Sequence, residues 1–243
     1  MDSAKDFWNR QTSSLHRADG DFFYRRKAAE HAGLIPDAER QAGAIDIGCG
    51  AGELLYFFSH LVRVDTGLDY SQSMLAEAAR RLEGKPIQLL DRDLFDYLPP
   101  SSHPVWLTTG AINQYLAPDD LRRFLDVFRD NAAARSLYLF DCVDPIRYLL
   151  VPYGLSYRPP VARDIVRKVY HFGRRAVIAA GLALGVLGRP SLKLPGAGMG
   201  YGFLPKFWFA EAAARGLQAE IVGSQAYEYR YHVILRKPVA ANG

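Results

Sequence analysis

Cysteine is scarce, with only Cys49 and Cys142 among 243 residues. They lie far apart and fit neither a metal-ligand spacing nor a disulfide framework, which excludes a stapled secreted scaffold and favours a reduced setting. The first residues, MDSAKDFWNRQTSSLHRADGDFFYRR, lack the apolar core of a signal peptide, so a cytoplasmic location is expected. Long hydrophobic runs are missing too. The most apolar stretch, AVIAAGLALGVLG between Arg175 and Arg189, is too short to span a bilayer and suits a buried or interfacial helix. There is no internal repeat or low-complexity tract. Acids are nearly absent from one region: between Arg147 and Lys193 nine arginines and lysines face a single acid, Asp164. The chain's net charge of +4 is therefore local, and such a patch suits phosphates, nucleic acid or an anionic membrane, or is simply a solvated face.

What is present is a chain about half apolar, enough for one substantial core with a small appendage. Residues 1–40 read as an N-terminal helical cap, with Phe22, Phe23, Ala28 and Ala29 on its faces, ending at the turn signal around Gly33 and Pro36. From 41 to 145 strand-length runs (AGAIDIG, VDTGLD, PIQLLD, VWLTTG, SLYLFDCV) alternate with amphipathic helical stretches, the pattern of β-α units around a mainly parallel sheet. Met74, Leu75, Ala78 and Leu82 recur at helical spacing, as do Leu121, Phe124, Leu125 and Phe128 behind Pro118, Asp119 and Asp120. Residues 146–206 break the alternation and read as an insertion. Residues 207–240 return to the core, where QAEIVGSQ and YRYHVILRKP form an antiparallel pair.

The segment AGAIDIGCGAGELLYFF is a buried strand entering a helix through Gly48, Gly50 and Gly52. Glycines let the backbone approach a ligand and adopt conformations barred to other residues, and the helix start presents unpaired N–H groups. Asp69 follows seventeen positions after Gly52, at the end of the next strand, where an acid accepts both hydroxyls of a ribose. A dinucleotide fingerprint requires a third glycine where this chain has Glu53, so a nicotinamide cofactor is disfavoured.

The successive segments DIGCGAG, GLDYSQSML, DRDLFDYLP and LTTGAINQYL resemble the signature segments of class I S-adenosylmethionine-dependent methyltransferases, in order over roughly residues 41–145. The resemblance implies an α/β, Rossmann-like fold. Its seven-stranded, mainly parallel sheet would have helices on both faces, the last strand antiparallel, and a helical cap or lid. It also implies S-adenosyl-L-methionine as cofactor. Gly48, Gly50 and Gly52 would line its methionine and ribose part, Asp69 would take the ribose hydroxyls, and Tyr70 and Met74 would flank the adenine. Asp93 and the backbone of Leu94 would meet the adenine edge, Thr109 and Gly110 the methionine end, and Asp46 would order the loop. At the fourth strand the chain departs from the pattern, with Val105 and Trp106 where many relatives carry an acid.

Methyl transfer from a sulfonium needs little beyond positioning, and a general base only for some nucleophiles. Base candidates are Asn113, Tyr115, Asp141, His171 and His232, none with a diagnostic motif; His171 and Asn113 are taken as catalytic. TTGAINQ offers no carboxylate cluster for magnesium, so no metal is expected. The resemblance places a lid over the acceptor in 146–206, with Tyr148, Tyr153, Tyr157, Tyr170, Phe172, Tyr201 and Phe203 as its aromatic lining. The basic and apolar stretch 163–189 is either a packed lid helix or a peripheral contact with a membrane or lipid-linked substrate. A small-molecule acceptor is expected, methylated on the oxygen of a natural product, sugar or lipid-linked glycan, with no nucleic acid partner. An RNA or protein methyltransferase and a non-catalytic cofactor-binding scaffold are the alternatives. Oligomeric state stays open.

Overall fold

In a computed structural model of the chain, the structure describes residues 20–150, 190–194 and 200–238. The apolar runs form β1 (Ala44–Ile47), β2 (Val64–Asp69), β3 (Gln88–Asp91), β4 (Val105–Thr108) and β5 (Ser136–Val143), which lie parallel to one another in the sheet. The C-terminal runs form β8 (Gln218–Gly223) and β9 (Arg230–Arg236), and β9 is antiparallel to both of its neighbours, β5 and β8. The seven-stranded order is β3-β2-β1-β4-β5-β9-β8. Every residue of β1, β4 and β5 is buried, which explains why these strands are apolar without alternation: both sheet faces are covered.

The two faces carry separate cores. Ala44, Val64, Val105, Leu107, Tyr138 and Phe140 face one way; Ile45, Ile47, Trp106, Leu137 and Leu139 face the other. The first face is covered by α1 (Gly20–Gly33), α3 (Glu53–Phe58) and α4 (Gln72–Arg81), the second by α6 (Pro118–Asp130) and α8 (Pro205–Ala214). Short helices α2 (Asp37–Arg40), α5 (Leu94–Tyr97) and α7 (Pro145–Leu150) complete the described set. Proline opens α6 and α8, where its missing N–H costs nothing. Trp106, at the point where the chain departs from the family pattern, is fully buried against Phe124 and Phe128 and donates its indole N–H to the carbonyl of His103 at 3.0 Å. The space is thus filled by an aromatic core.

Helix α1 differs from the sequence reading. Phe22 is 64% exposed and Ala29 is exposed, while Phe23, Tyr24, Lys27, Ala28, His31 and Ala32 are buried. Pairs recurring every four residues mark this inward face, and two of its members are basic. The helix packs as part of the first core rather than lying over it.

Within 146–206 the structure forms a pair that short, glycine-containing segments did not announce: β6 (Ser191–Lys193) antiparallel to β7 (Tyr201–Phe203). Phe203 is buried against Phe207 and Trp208, with ring centroids 4.8 and 5.5 Å away, and its carbonyl accepts from the Tyr231 hydroxyl. Among the described residues no helix is long and apolar enough to cross a membrane.

Candidate active site

The chain leaves β1, runs outward through β2 and β3, then returns to the other side of β1 as β4. A crevice opens at the carboxyl ends of strands where the order reverses in this way. Here it is a cavity of about 410 Å³.

Its floor is the loop after β1. Gly48, Gly50 and Gly52 all have positive φ (74°, 56° and 73°), a conformation that strains any side chain. The N–H groups of Gly48 and Cys49 both donate to the carbonyl of Leu68, at 2.7 and 3.1 Å, stitching the loop to the end of β2. Asp69 completes the stitch: one carboxylate oxygen accepts from Gly50 N–H and the other from Ser71 N–H, each at 2.9 Å. Burial pushes its carboxyl above the ordinary range, against the pull of those N–H groups, and Asp91 adds to the rise. Asp46 lies fully buried beneath, accepting from Thr109 N–H at 2.9 Å and the Thr109 hydroxyl at 2.6 Å. Burial pushes its carboxyl up to about 6.

Of the residues named from sequence, Gly48, Gly50, Asp69, Tyr70, Met74, Asp93, Leu94, Thr109 and Gly110 line this one cavity. Asp93 also caps α5, accepting from Phe95 N–H at 2.9 Å. Asp46, Gly52 and Asn113 do not line it, and neither do the base candidates Asp141 and His232. Asp46 acts from below, through Thr109. Gly52 is a packing residue: a Cβ there would sit 3.3 Å from the backbone and side chain of Ala78 on α4. Asn113 is 1% exposed and donates its amide to Cys142 Sγ at 2.8 Å, inside the core. Its neighbours Gln114 and Tyr115 line the cavity instead. The short 3-10 turn Ile112–Gln114 decides this, because it rotates successive side chains to different sides. His171, Tyr153, Tyr157, Tyr170, Phe172 and the stretch 163–189 lie outside the described residues. Tyr148, Tyr201 and Phe203 are not in the wall; its rings are Phe23 and Tyr24 on α1, Phe95 on α5, Tyr70, Tyr115, and Tyr227 and Tyr229 before β9.

Beside the cavity sits a buried polar cluster that sequence reading had scattered. Lys27 forms an ion pair with Asp141 at 2.5 Å, and both side chains are nearly or wholly buried. Asp141 has φ +56° at the middle of β5, where the pairing with β9 shifts register. Burial alone would raise its carboxyl; Lys27, with His31 and His232, outweighs that and holds it well below the usual range. His232 Nδ1 accepts from Asp141 N–H at 3.2 Å, so its Nε2 carries the proton donated to Glu30 at 2.9 Å. His31, Asp141 and His232 bring one potential ligand atom each within 4.8 Å of one another. His232 Nδ1 is already engaged, however, and a lysine ammonium sits on the carboxylate, so the trio suits its own cation rather than a metal. The signal for Lys27 and His31 was their place on an otherwise apolar helix face.

His31 lies stacked on Phe140, ring centroids 4.0 Å apart, with neither ring nitrogen hydrogen-bonded. Burial pushes its pKa down to about 4 from 6.5. The unfolded chain therefore binds the extra proton between those values. This contribution to stability, roughly 3 kcal/mol, is full above pH 6.5 and lost as pH falls to 4. Asp46 works the other way, favouring the folded state as pH falls below about 6. Urea unfolding at a series of pH values is expected to show wild-type stability falling from pH 6.5 to 4 more steeply than that of His31→Phe; equal slopes would contradict it.

The donor set fits S-adenosylmethionine. A Cβ on Gly50 would meet nothing within 4 Å, so the loop leaves open space beside its backbone, and a carboxylate at the end of β2 borders it. Residues 44–132 match a family model described as a methyltransferase domain. No curated protein sequence matches the chain. Among solved structures, the chain is similar to magnesium protoporphyrin IX methyltransferase from Synechocystis PCC 6803 with bound SAH. Identity is 14% and the TM-score 0.56, over 93% of this chain and 88% of that one. It is similar to SAM-bound CalS10, an amino pentose methyltransferase from Micromonospora echinaspora, at 18% identity and TM-score 0.57, over 88% and 92%. Mitomycin 7-O-methyltransferase MmcR aligns at 18% identity and TM-score 0.58, over 98% of this chain but only 61% of its own length. With the glycine loop and the sheet order, the match over 44–132 gives this chain a methyltransferase domain on a Rossmann-like sheet.

Proposed function

We propose that the chain transfers a methyl group to oxygen on a small molecule of the natural-product, sugar or lipid-linked-glycan kind. The observation that carries this reading is the cavity itself: about 410 Å³, bordered by the glycine loop and walled by aromatic rings, the kind of concave site that takes small molecules. Two of the similar structures carry names that speak of an O-methyltransferase and an amino pentose methyltransferase.

In this reading Asp69 would hold the ribose hydroxyls, Asp93 and Leu94 the adenine edge, and Thr109, Gly110 and the Gly48 and Gly50 backbone the methionine end. The cofactor supplies an activated methyl on a sulfonium. The protein's own task is then to orient the acceptor oxygen and keep water out, which the rings of Tyr24, Tyr115 and Tyr227 serve by covering the cavity with apolar surface. No histidine lines the cavity among the described residues. A histidine base would therefore come from outside them, His171 being the candidate.

The test is methyl-labelled S-adenosylmethionine incubated separately with pooled small metabolites, RNA and protein. Label is expected in the small-molecule pool alone. Label in RNA or protein would overturn the acceptor class.

A further inference from the structure

We propose that Lys27 and Arg230 form the acceptor subsite, and that it takes an aromatic molecule bearing an oxyanion, a ring carboxylate or an ionised phenol. This inference rests on the methyltransfer reading and names the acceptor chemistry within it.

Topology separates the cavity into two halves. The glycine loop, Asp69 and Asp93 follow β1, β2 and β3, on one side of the sheet order. Arg230 opens β9, paired with Val143 at the end of β5, on the other side. Lys27 is drawn to the same side by its ion pair with Asp141. Both cations line the cavity, and they are only 8% and 7% exposed.

The two cations are held differently, Lys27 by a carboxylate and Arg230 by a backbone carbonyl. Among the described residues Asp141 holds both, taking Lys27 through its side chain and Arg230 Nη1, at 2.9 Å, through its backbone carbonyl. Glu30 is occupied elsewhere, by His232 and by the N–H groups of Gln225 and Ala226. Glu53 also lines the cavity, but from α3 beside the glycine loop. Arg230 Nε thus lies in a buried wall without an acceptor among the described residues, which is costly unless a ligand's oxygen meets it.

The remaining polar groups point to a ligand as well. Arg230 Nε and Gln114 Oε1 are buried without a hydrogen-bond partner, and both residues line the cavity. Unsatisfied groups of this kind, one donor and one acceptor, fit an oxyanion on one side and a hydroxyl or N–H on the other. The flat surroundings select an aromatic body. The Arg230 guanidinium lies 4.9 Å from the centre of Tyr227 and 5.4 Å from that of Tyr229, and Lys27 Nζ lies 5.4 Å from Tyr227. Cations and rings are therefore interleaved, as a planar anion requires. A purely structural tether of α1 to the sheet would need neither the second cation nor the unpartnered atoms.

The full chain, saturated with S-adenosylhomocysteine, is titrated calorimetrically with benzoate, with 4-nitrophenol and with benzamide, a neutral isostere of benzoate. Benzoate is expected to bind at least about tenfold more tightly than benzamide. If the natural group is a phenolate, bound 4-nitrophenol shows the phenolate absorbance band at a pH where the free compound is largely protonated. If it is a carboxylate, benzoate binds and 4-nitrophenol does not. Lys27→Met combined with Asp141→Asn removes both partners and leaves no buried unpaired carboxylate. In that variant the preference for benzoate over benzamide is expected to vanish while S-adenosylhomocysteine binding is kept. Equal binding of benzoate and benzamide by the wild type, or an undiminished preference in the folded double variant, overturns the proposal. The wild-type comparison decides even if the variant fails to fold. Failure of S-adenosylhomocysteine to bind the wild type would instead remove the methyltransfer reading itself.

Discussion

Asp69→Ala is expected to weaken S-adenosylmethionine binding by at least about a hundredfold, measured by calorimetry with the cofactor and its demethylated product. Two effects add. The carboxylate accepts Gly50 N–H and Ser71 N–H, one on each oxygen, and so fixes the loop that forms the cavity floor. Hydrogen bonds to a charged group are worth about 1.5–3 kcal/mol each, and losing about 3 kcal/mol is a factor of about a hundred. The lone pairs left on the same oxygens are the ones that would take the ribose hydroxyls. Asp69→Asn is expected to fail nearly as badly. Its single carbonyl can meet only one of the two N–H groups, and its amide would face the other, donor against donor. Binding by Asp69→Ala within about threefold of the wild type would show that the cofactor lies elsewhere.

Gly110→Ala is expected to cost both stability and binding, whereas Gly50→Ala is expected to cost mainly binding. A Cβ on Gly110 would lie 1.9 Å from the Gly48 carbonyl oxygen, so the loops after β1 and β4 would have to part by more than an ångström. No side chain can move aside to relieve a clash with backbone. Separation would also pull Thr109 from Asp46, which accepts from it twice. Overpacking of this severity costs about 3 kcal/mol or more. At Gly50 the added methyl meets nothing within 4 Å of protein, and the penalty is the positive φ of 56°, about 1 kcal/mol. The methyl would occupy the ligand's space instead. Thermal melts and cofactor titrations of the two variants should therefore diverge: a melting temperature lowered by several degrees for Gly110→Ala and little changed for Gly50→Ala, with binding impaired in both. Similar melting temperatures would contradict the geometry.

The glycine-loop side of the cavity was legible from sequence because its determinants are local. Gly48, Gly50 and Asp69 sit at strand ends whose apolar runs announce themselves, and the spacing between loop and acid is set by one β-α unit. Where a residue's direction depends on a turn the reading slipped. Asn113 and Gln114 are adjacent, yet the first faces Cys142 and the second the cavity. Gly52 belongs to the motif, yet its role in the fold is to let α3 approach Ala78. Phe203 looked like a lid aromatic and is core, because β7 carries it against Trp208.

The order of short apolar runs and glycine turns by itself determined the parallel β-α core, the antiparallel terminal pair and the glycine loop, since each follows from periodicity and backbone freedom within a few dozen residues. Only tertiary structure decided the wall opposite the glycine loop. Lys27, Asp141 and Arg230 are separated by more than a hundred positions at the first gap and nearly ninety at the second. They meet because α1 docks on a sheet in which β9 has been inserted beside β5. Charge burial is a property of that assembled wall: no local pattern records that a lysine and an arginine on two elements will line one cavity around an aspartate on a third.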